Sequence, residues 1–301
     1  MSTPNNPSEP LVSVCIPTYN RAQKLQLAVN ALFNSTYKNL EIIISDNASS
    51  DDTENVCRAL EKLDRRIKYY RHSENRGPTA NFEFARSQAT GKYFLWHGDD
   101  DYLDINYISE CVAELENDQF LVLVSGVAAY HQDGGDVLSY GNIIQANSDW
   151  PALRIAKYLW LVTENSIFCG AYRRHVVEQC LMPNCLAGDW IWVSEVLLRG
   201  KAKIIQRIHV HRNQGDSTSS SLGRIVSTIG APSWHGKFPA LAISTNVAKY
   251  LSRLLPRHGR FYPLTKYIMA DILFFFIYIK LKMSRVGARL VPIFKKLRAL
   301  Q

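Results

Sequence analysis

The sequence predicts an α/β protein in which a mainly parallel sheet carries helices on both faces. Apolar runs and helical patterns alternate four times within the first 125 of the 301 residues, which is typical of βαβ units. Three of these runs end in polar clusters, and parallel sheets bind ligands beyond the carboxyl ends of their strands. Because 47% of the residues are hydrophobic, the chain can form one or two domains with a substantial core.

The first apolar run, LVSVCI at 11–16, predicts a buried strand that Pro17 ends. A helix follows, because apolar residues recur at helical spacing: Leu25, Ala28, Val29 and Leu32. The next strand, LEIIIS at 40–45, runs into the turn-rich stretch DNASSDDT. The remaining predicted elements are helices at about 52–63, in NFEFARSQA and at about 104–117, and strands at 67–71, 92–97 and 120–125.

Three polar clusters follow predicted strands, at Thr18–Asn20, Asp46–Asn47 and Gly98–Asp101. We expect them to converge on one crevice, because neighbouring parallel strands end at the same edge of a sheet. Three adjacent carboxylates repel each other, by about 1 kcal/mol at about 4 Å even in water, and a bound cation would offset this. Carboxylates without thiolates suit a hard cation such as Mg²⁺ or Mn²⁺. The alternative is a solvated acidic turn, which the position after a buried strand disfavours.

The sequence argues against several other classes of protein. No GxGxxG follows a predicted strand and GxxxxGK[ST] is absent, which disfavours dinucleotide dehydrogenases and P-loop NTPases. The six cysteines include no CxxC pair, which disfavours both zinc binding and a disulfide framework. We expect buried, reduced thiols in a cytoplasmic protein, and the polar N-terminus has no pattern of a signal peptide.

The net charge of +8 is unevenly distributed along the chain. Residues 1–216 carry 21 Lys and Arg against 26 Asp and Glu, whereas residues 217–301 carry 14 against one, Asp271. A nucleic-acid-binding protein that is basic throughout would not have this distribution. We therefore expect no nucleic-acid partner.

Four stretches, in this order, resemble the family 2 glycosyltransferases: CIPTYNR (15–21), IIISDNASSDDT (42–53), NRGPTANFEFAR (75–86) and the triple Asp. The resemblance covers about residues 11–125 and extends more faintly to about 220. It implies the GT-A fold, which is Rossmann-like, and a nucleotide-diphosphate-sugar donor. The implied organisation is a polar tail at 1–10, a GT-A domain at 11–220 with a donor half (about 11–125) and an acceptor half (about 126–220), and a helical basic C-terminal extension at 221–301.

The resemblance also implies roles for residues of the donor half. Thr18 and Tyr19 would line the base pocket, Asp46 would accept a hydrogen bond from the base, Arg76 would lie near the nucleotide or diphosphate, and Asp99 near the ribose. Each residue has an ordinary structural alternative. Tyr19 would be a packed aromatic residue, Asp46 an Asx-turn residue, and Arg76 the ion-pair partner of a neighbouring carboxylate.

The metal ligands implied by the resemblance are Asp100, as the main ligand, and Asp101. The sequence departs from the frequent Asp-x-Asp-Asp pattern, because Gly98 occupies the first acidic position. Some relatives add a histidine after a later strand. We expect His209 and His211 to point to opposite faces, so that at most one reaches the metal, and His211 is the candidate.

The stretch LAGDWIWVSEVLLRGKAKII (186–205) places Asp189 before a predicted helix, which a strand follows. Taken alone, Asp189 is more typical of a helix N-cap. The stretch resembles the family's Glu-Asp-Trp segment, in which the Asp is the catalytic base. Gly188 replaces the Glu, but the Asp is present, so the resemblance implies that Asp189 is the base.

The C-terminal extension contains the apolar stretch YIMADILFFFIYI, which is too short to span a bilayer. Residues 280–301 carry seven Lys and Arg and no acid, and four apolar residues recur there at helical spacing: Leu290, Ile293, Phe294 and Leu297. A basic amphipathic element can bind an anionic membrane surface. The alternative is a helix packed on the catalytic domain with a solvated basic face.

Together these features predict an inverting glycosyltransferase that moves a sugar from a nucleotide-diphosphate donor to a glycan acceptor. The acceptor is expected to be lipid-linked and the pathway to be bacterial surface-polysaccharide synthesis, at the inner face of the cell membrane. Two other classes remain open. One is a metal-dependent nucleotidyltransferase, although no Gly/Lys-rich triphosphate loop is found, and the other is a non-catalytic nucleotide-sugar-binding module.

Overall fold

The structure is a computed structural model, and it describes residues 9–132, 135–213, 222–254, 271 and 274–282. The chain divides into two compact units. The first unit comprises Met1–Pro183 and Trp192–Ser221, and the second comprises Asn184–Ile191 and Leu222–Gln301. The larger segment of the second unit, Leu222–Gln301, begins next to the predicted boundary at 220–221, whereas Asn184–Ile191 comes from within the predicted domain.

The strands, all in the first unit, are β1 (Val12–Thr18), β2 (Leu40–Asp46), β3 (Ile67–Arg71), β4 (Tyr93–Trp96), β5 (Tyr102–Leu103), β6 (Leu121–His131), β7 (Val137–Tyr140), β8 (Ala171–Arg173) and β9 (Lys201–Asn213). The helices are α1 (Ala22–Phe33), α2 (Thr53–Leu63), α3 (Pro78–Ser87), α4 (Tyr107–Asn117), α5 (Pro151–Leu161), α6 (Arg174–Val177), α7 (Gly188–Arg199), α8 (Leu222–Thr228), α9 (Trp234–Lys237) and α10 (Pro239–Leu251). Short 3₁₀ helices lie at Ser166–Cys169 and Ser252–Leu254.

The nine strands form one mixed sheet with the order β3-β2-β1-β4-β8-β6-β9-β5, and β7 pairs with β6. The strands β3, β2, β1 and β4 are parallel, as predicted from the strand–helix alternation. Two short strands are among the elements that were not predicted. The three-residue β8 lies antiparallel between β4 and β6, and the two-residue β5 pairs antiparallel with β9. Both are too short to produce a periodic pattern in the sequence.

The parallel strands are buried because helices cover both faces of such a sheet. All seven residues of β2 are buried, and α1 buries the predicted apolar face: Leu25, Ala28, Val29 and Leu32. An aromatic cluster in the first unit joins the two halves of the predicted domain, and Trp96 is stacked on Phe168 while Trp192 meets both rings edge-on. Five of the six cysteines are buried, and Cys185 is half-buried, in agreement with the predicted thiols.

The second unit is helical in its described part. Asn246 Nδ2, on α10, donates a hydrogen bond to the carbonyl of Leu186 at 3.1 Å, and Asn184 Nδ2 donates to the carbonyl of Ile229 at 3.1 Å. These two bonds hold the segment 184–191 against the C-terminal helices. Residues 274–282 are helical as well, and the ammonium group of Lys280 lies 4.5 Å from the centre of the Trp190 ring.

No helix within the described residues has the length and hydropathy needed to cross a bilayer. Most of the predicted basic amphipathic segment, including Leu290, Ile293, Phe294 and Leu297, lies outside the described residues.

Candidate active site

The carboxyl ends of β1 and β2 lie side by side, because Thr18 is the register partner of Asp46. The backbone N–H of Asn47 donates to the carbonyl of Thr18 at 3.0 Å, so the two chain ends leave the sheet together. Both loops then turn sharply, with φ of 54° at Asn20 and 61° at Ala48. Asparagine tolerates this left-handed conformation better than most residues, whereas alanine rarely adopts it.

Asp46 is fully buried, and its carboxylate is bound within the protein. Oδ1 accepts hydrogen bonds from the N–H and the hydroxyl of Ser49 at 2.9 and 2.5 Å, and Oδ2 accepts one from the Tyr69 hydroxyl at 2.8 Å. The Nε of Arg71 lies 3.6 Å from Oδ2. Asp46 therefore organises the turn after β2, which is close to the Asx-turn alternative, and its contact with a nucleotide base stays a prediction.

The loop before α3 is tied to the end of β2 by side-chain amides. Asn47 Nδ2 donates to Asn75 Oδ1 at 2.9 Å, and Asn47 Oδ1 accepts from the backbone N–H of Arg76 at 2.9 Å. The Arg76 side chain is exposed and forms no ion pair with any residue in the described part of the chain. The alternative role of Arg76, pairing with a neighbouring carboxylate such as Glu74, is thus not seen. Its guanidinium remains available for an anionic ligand.

The triple aspartate lies beside the end of β1, as the convergence of strand ends predicts. The Thr18 hydroxyl donates to Asp99 Oδ2 at 2.8 Å. Arg21 Nη1 donates to Asp100 Oδ2 at 2.6 Å, and Arg212 Nε donates to Asp101 Oδ2 at 3.1 Å. Each aspartate thus has its own partner, and two of the three partners are arginines.

These contacts only partly compensate the negative charge. Burial and repulsion from Asp100 raise the pKa of Asp99 to about 6, although the Thr18 hydroxyl and Arg21 act in the opposite direction. Burial likewise raises the pKa of Asp101 to about 6, against the attraction of Arg212. A carboxylate that is harder to ionise than usual indicates a site in which further positive charge would be stabilising.

Gly98 has a steric explanation in this conformation. A Cβ at position 98 would lie 2.6 Å from Asp101 Oδ2 and 2.9 Å from its Cγ. An acidic residue at this position, as in the Asp-x-Asp-Asp pattern, would therefore require the Asp101 side chain to move away from Arg212. The glycine at position 98 thus leaves room for the Asp101 side chain in its pair with Arg212.

The aspartates suit a hard cation by their chemistry, but they do not form a closed set of ligands. Within the described residues, one group of His, Cys, Asp or Glu has three ligand atoms all within 4.8 Å of one another, and it consists of Asp104, His209 and His211. Magnesium and manganese usually take only one or two carboxylates and complete their coordination with substrate phosphates and water. An open carboxylate site at Asp100 fits that behaviour.

The prediction that His209 and His211 point to opposite faces of β9 is wrong. His209 and His211 are two residues apart on a strand and therefore share a face. Both imidazoles contact the Asp104 carboxylate, at 3.1 and 2.8 Å. Arg212, on the other face, points to Asp101 instead. A role for His211 as a ligand of a metal at Asp100 and Asp101 stays a prediction.

Asp189 belongs to the second unit and lies in the first turn of α7, one residue after its start at Gly188. It is thus inside the helix and not at the N-cap, although helix ends vary by a residue or two between assignments. The preceding Ala187 has a φ of 65°. An acidic side chain in the first turn interacts favourably with the helix dipole. Whether it is the catalytic base stays a prediction.

Several residues of this region were not identified from the sequence as site residues. They are Arg21, Ser49, Tyr69, Asp104 and Arg212. Arg21 lies within the quoted CIPTYNR stretch, and Asp104 follows the triple aspartate closely, so proximity to a motif was the available signal. Nothing in the local pattern around Tyr69 or Arg212 indicates which carboxylate they contact.

Comparison with known proteins is consistent with this geometry. The model of the family described as Glycosyl transferase family 2 matches residues 13–181. A GalNAc(5)-diNAcBac-PP-undecaprenol beta-1,3-glucosyltransferase of Campylobacter jejuni is 42% identical over 95 residues, 31% of this chain and 31% of that protein. An abequosyltransferase of Salmonella typhimurium is 44% identical over 96 residues, 31% of this chain and 29% of that protein. The matching stretch is thus about a third of the length of these relatives.

A solved mannosyltransferase from Pyrobaculum calidifontis, in complex with GDP-Man and Mn²⁺, has a similar fold. The TM-score is 0.55 at 15% identity, and the alignment covers 99% of this chain and 83% of that one. This likeness, with the family match, confirms the predicted GT-A type of fold.

Proposed function

The chain belongs to glycosyl transferase family 2, and from this we propose that it moves a sugar, with inversion, from a nucleotide-diphosphate donor to a hydroxyl group of a glycan acceptor. The observation that carries the proposal is the hydrogen bond from the Thr18 hydroxyl to Asp99, which joins the ends of β1 and β4. It supports a single crevice built from three strand ends, which is where open parallel sheets bind nucleotides.

We assign the donor to this crevice. Thr18 and Tyr19 would line the base pocket, and the Tyr19 ring, 45% exposed, offers a face on which a base can stack. Asp46 would stabilise the turn after β2 beside the pocket and accept a hydrogen bond from the base, while Asp99 would bind the ribose. Arg76, with its exposed guanidinium, would bind the diphosphate through charge-assisted hydrogen bonds.

Asp100, with Asp101 beside it, would hold a divalent cation, Mn²⁺ or Mg²⁺. Such an ion, when bound, neutralises charge on the departing diphosphate. The Asp100–Arg21 ion pair has side chains 23% and 24% exposed. Both side chains thus reach the solvent, and the ion would take the place of Arg21 at the Asp100 carboxylate.

Asp189 would act as general base. It would take the proton of the acceptor hydroxyl while that oxygen forms a bond to the anomeric carbon and the bond from this carbon to the diphosphate oxygen breaks. Attack from the side opposite to the leaving group inverts the configuration. The products are the glycosylated acceptor and a free nucleoside diphosphate.

We further propose that the acceptor is lipid-linked and that the reaction serves bacterial surface-polysaccharide synthesis at the inner face of the cell membrane. The name of the Campylobacter jejuni relative, which includes an undecaprenol diphosphate, supports this class of acceptor. The basic C-terminal region, with 14 Lys and Arg and one acid in residues 217–301, would bring the protein to an anionic surface.

The test incubates the purified protein with a panel of nucleotide sugars and measures the release of nucleoside diphosphate. Each donor is measured after metal ions have been removed with a chelator, and again after Mn²⁺ has been added back. We expect release from one or a few donors, dependent on Mn²⁺, and loss of that dependent activity in Asp100→Asn. Asp136→Asn, the same change at an exposed aspartate, is the matched control and should retain activity.

Two outcomes would contradict the proposal and separate it from the other classes. Release of pyrophosphate from nucleoside triphosphates, with incorporation of the nucleotide, would indicate a nucleotidyltransferase. Binding of a nucleotide sugar, seen as thermal stabilisation, without release from any donor in the presence of acceptor would indicate a binding module.

A further inference from the structure

A cluster of three histidines and one aspartate lies where β5 is followed by α4 and pairs with β9. Tyr102 and His211 are register partners in this antiparallel pair. His211 Nε2 lies 2.8 Å from Asp104 Oδ1, and His209 Nδ1 lies 3.1 Å from Asp104 Oδ2. All three side chains are partly exposed, with 16% of His211, 24% of His209 and 29% of Asp104 accessible.

The hydrogen bonds of His131 constrain the cluster. Its Nδ1 lies 2.7 Å from the carbonyl oxygen of Gly135, which can only accept, so Nδ1 carries a proton. In a neutral His131 ring, Nε2 is then an acceptor, and it lies 2.8 Å from His211 Nδ1. His211 Nδ1 must therefore donate, as the tautomer of one ring sets that of the next.

This assignment bears on the contact between His211 and Asp104, whose Oδ2 also accepts a hydrogen bond from the backbone N–H of His209 at 2.8 Å. If His211 is neutral with its proton on Nδ1, the lone pair of its Nε2 faces the Asp104 carboxylate oxygen at 2.8 Å, which is repulsive. Either a second proton or a cation must lie between them. The neighbouring His209 Nδ1 offers a further ligand atom, and all three atoms lie within 4.8 Å of one another.

We propose that Asp104, His209 and His211 bind a divalent transition-metal ion of the Zn²⁺ class. Two imidazole nitrogens and one carboxylate oxygen are a ligand set for zinc and its neighbours, and they differ from the all-oxygen set that Mg²⁺ prefers. Bonds of about 2.0–2.1 Å in a tetrahedron place ligand atoms about 3.4 Å apart. The separations from Asp104, 2.8 and 3.1 Å, and the limit of 4.8 Å on all three lie on either side of this value.

Two further contacts would orient the ligands. His131 fixes the tautomer of His211 through the bond between His131 Nε2 and His211 Nδ1, so that Nε2 of His211 is free to bind the metal. The Tyr102 ring is stacked on the His211 ring, with 4.5 Å between centroids and 4° between planes. His131 and Tyr102 are therefore positioning residues, not ligands.

The site would connect β9 to the segment that directly follows the triple aspartate. Asp104 follows β5, and β5 follows Asp101, so an ion held by Asp104 and β9 would fix this short strand in place. The proposal does not depend on the proposed sugar transfer, because metal binding here needs no donor, and either proposal can fail without the other.

The experiment is titration with Co²⁺ and Zn²⁺ of the tag-free full-length protein, from which metal ions have been removed with a chelator. We expect one nitrogen-ligated Co²⁺ per chain, recognised by its visible absorption, displacement of that ion by Zn²⁺, and a rise in the thermal midpoint that nucleotide sugar does not require. His211→Gln and Asp104→Asn should each lower the affinity at least about 100-fold. His131→Phe should lower it by about 10–100-fold, as expected for a positioning residue.

Matched controls separate this site from adventitious binding and from the proposed Mn²⁺ site. His175→Gln removes an exposed histidine of α6 and should leave the nitrogen-ligated Co²⁺ absorption unchanged, as should Asp100→Asn. Circular dichroism checks that each variant is folded, and His209→Gln substitutes for any variant that is not. Absence of stoichiometric, nitrogen-ligated Co²⁺ binding in the unmodified protein, or such binding that survives both His211→Gln and His209→Gln, would overturn the proposal.

Discussion

Asp99, Asp100 and Asp101 show how strongly neighbouring identical residues can differ. Asp99 accepts from Thr18, Asp100 pairs with Arg21, and Asp101 pairs with Arg212. Burial raises the pKa of Asp99 and of Asp101 to about 6, so both carboxylates cost stability when they ionise as the pH rises through 6. Retention of such unfavourable groups at one place is typical of a functional site.

The first prediction at this scale concerns Asp189 as general base. We expect Asp189→Asn to lower the turnover number by about two to four orders of magnitude, because an amide cannot accept the acceptor's proton. Donor affinity should be unchanged, because the base contacts the acceptor and not the nucleotide. Steady-state kinetics and equilibrium binding of the donor measure the two effects separately.

The control is Glu110→Gln, which removes a negative charge from the first turn of α4. The interaction of such a residue with the helix dipole is worth about 0.3–1 kcal/mol, so a purely structural role would give both variants small effects. Near-normal turnover of Asp189→Asn would assign Asp189 to this role alone.

At the scale of secondary-structure elements, Glu41 connects the amino-terminal ends of the four parallel strands. Its Oε1 accepts from the Ser13 hydroxyl at 2.5 Å and from the N–H and hydroxyl of Thr90 at 2.6 and 2.8 Å. Its Oε2 accepts from Lys68 Nζ at 2.7 Å. These partners lie on β1, before β4 and on β3, while Glu41 itself is on β2. The network lies at the opposite edge of the sheet from the candidate active site.

The second prediction concerns the pH dependence of this network. Burial alone would raise the pKa of Glu41, but hydrogen bonds from Lys68, Ser13 and Thr90 lower it from 4.5 to about 2. A pKa that is lower in the folded state stabilises the fold above the unfolded pKa, and the effect is lost as the pH falls towards 2. A change of one in pKa corresponds to about 1.4 kcal/mol, so Glu41 contributes about 3 kcal/mol to the free energy of unfolding at neutral pH.

We therefore expect Glu41→Gln to lower the free energy of unfolding at pH 7 by up to about 3 kcal/mol, and the difference from the unmodified protein to shrink steadily below pH 4.5. Urea unfolding at several pH values measures it. Glu74→Gln, at an exposed glutamate, is the control and should change stability little at any pH. A difference for Glu41→Gln that is the same at pH 7 and pH 3 would show that packing, and not charge, is responsible.

At the scale of the whole molecule, the dominant feature is the separation of charge along the chain. Residues 1–216 have a small excess of acid, and residues 217–301 a large excess of base. In the described helical segment 274–282, Phe275 and Ile279 are 60% and 50% exposed. Basic groups with exposed apolar side chains among them are the combination that binds anionic membrane surfaces.

The third prediction is that the full-length protein binds vesicles containing anionic lipid, and that salt weakens the binding because exposed charges are screened within about 10 Å at 0.1 M. A chain ending at Ser284 lacks five Lys and Arg and should bind less well, while still hydrolysing or transferring from the donor to a soluble acceptor. Co-sedimentation with anionic and with neutral vesicles at two salt concentrations measures this. Equal binding of both chains would favour the alternative, a packed helix with a solvated basic face.

The local pattern of the chain was sufficient to predict the α/β class, the first four strands and the convergence of Thr18, Asp46 and the aspartates. These features follow from periodicity and from the rule that parallel strands end at one edge, so residues near in sequence carry the information. The ordered motifs were likewise sufficient to identify the family.

Which side chains contact each other in the site was decided by the tertiary structure, because the partners are far apart in the sequence. Arg21 and Asp100 are 79 residues apart, Arg212 and Asp101 are 111 apart, and His209 and Asp104 are 105 apart. The pairing of β5 with β9 decides the last two of these contacts, and β5 is too short to have a pattern of its own. A side chain's local sequence specifies its chemistry and its face of the strand, but the strand packed beside it specifies which charge it meets.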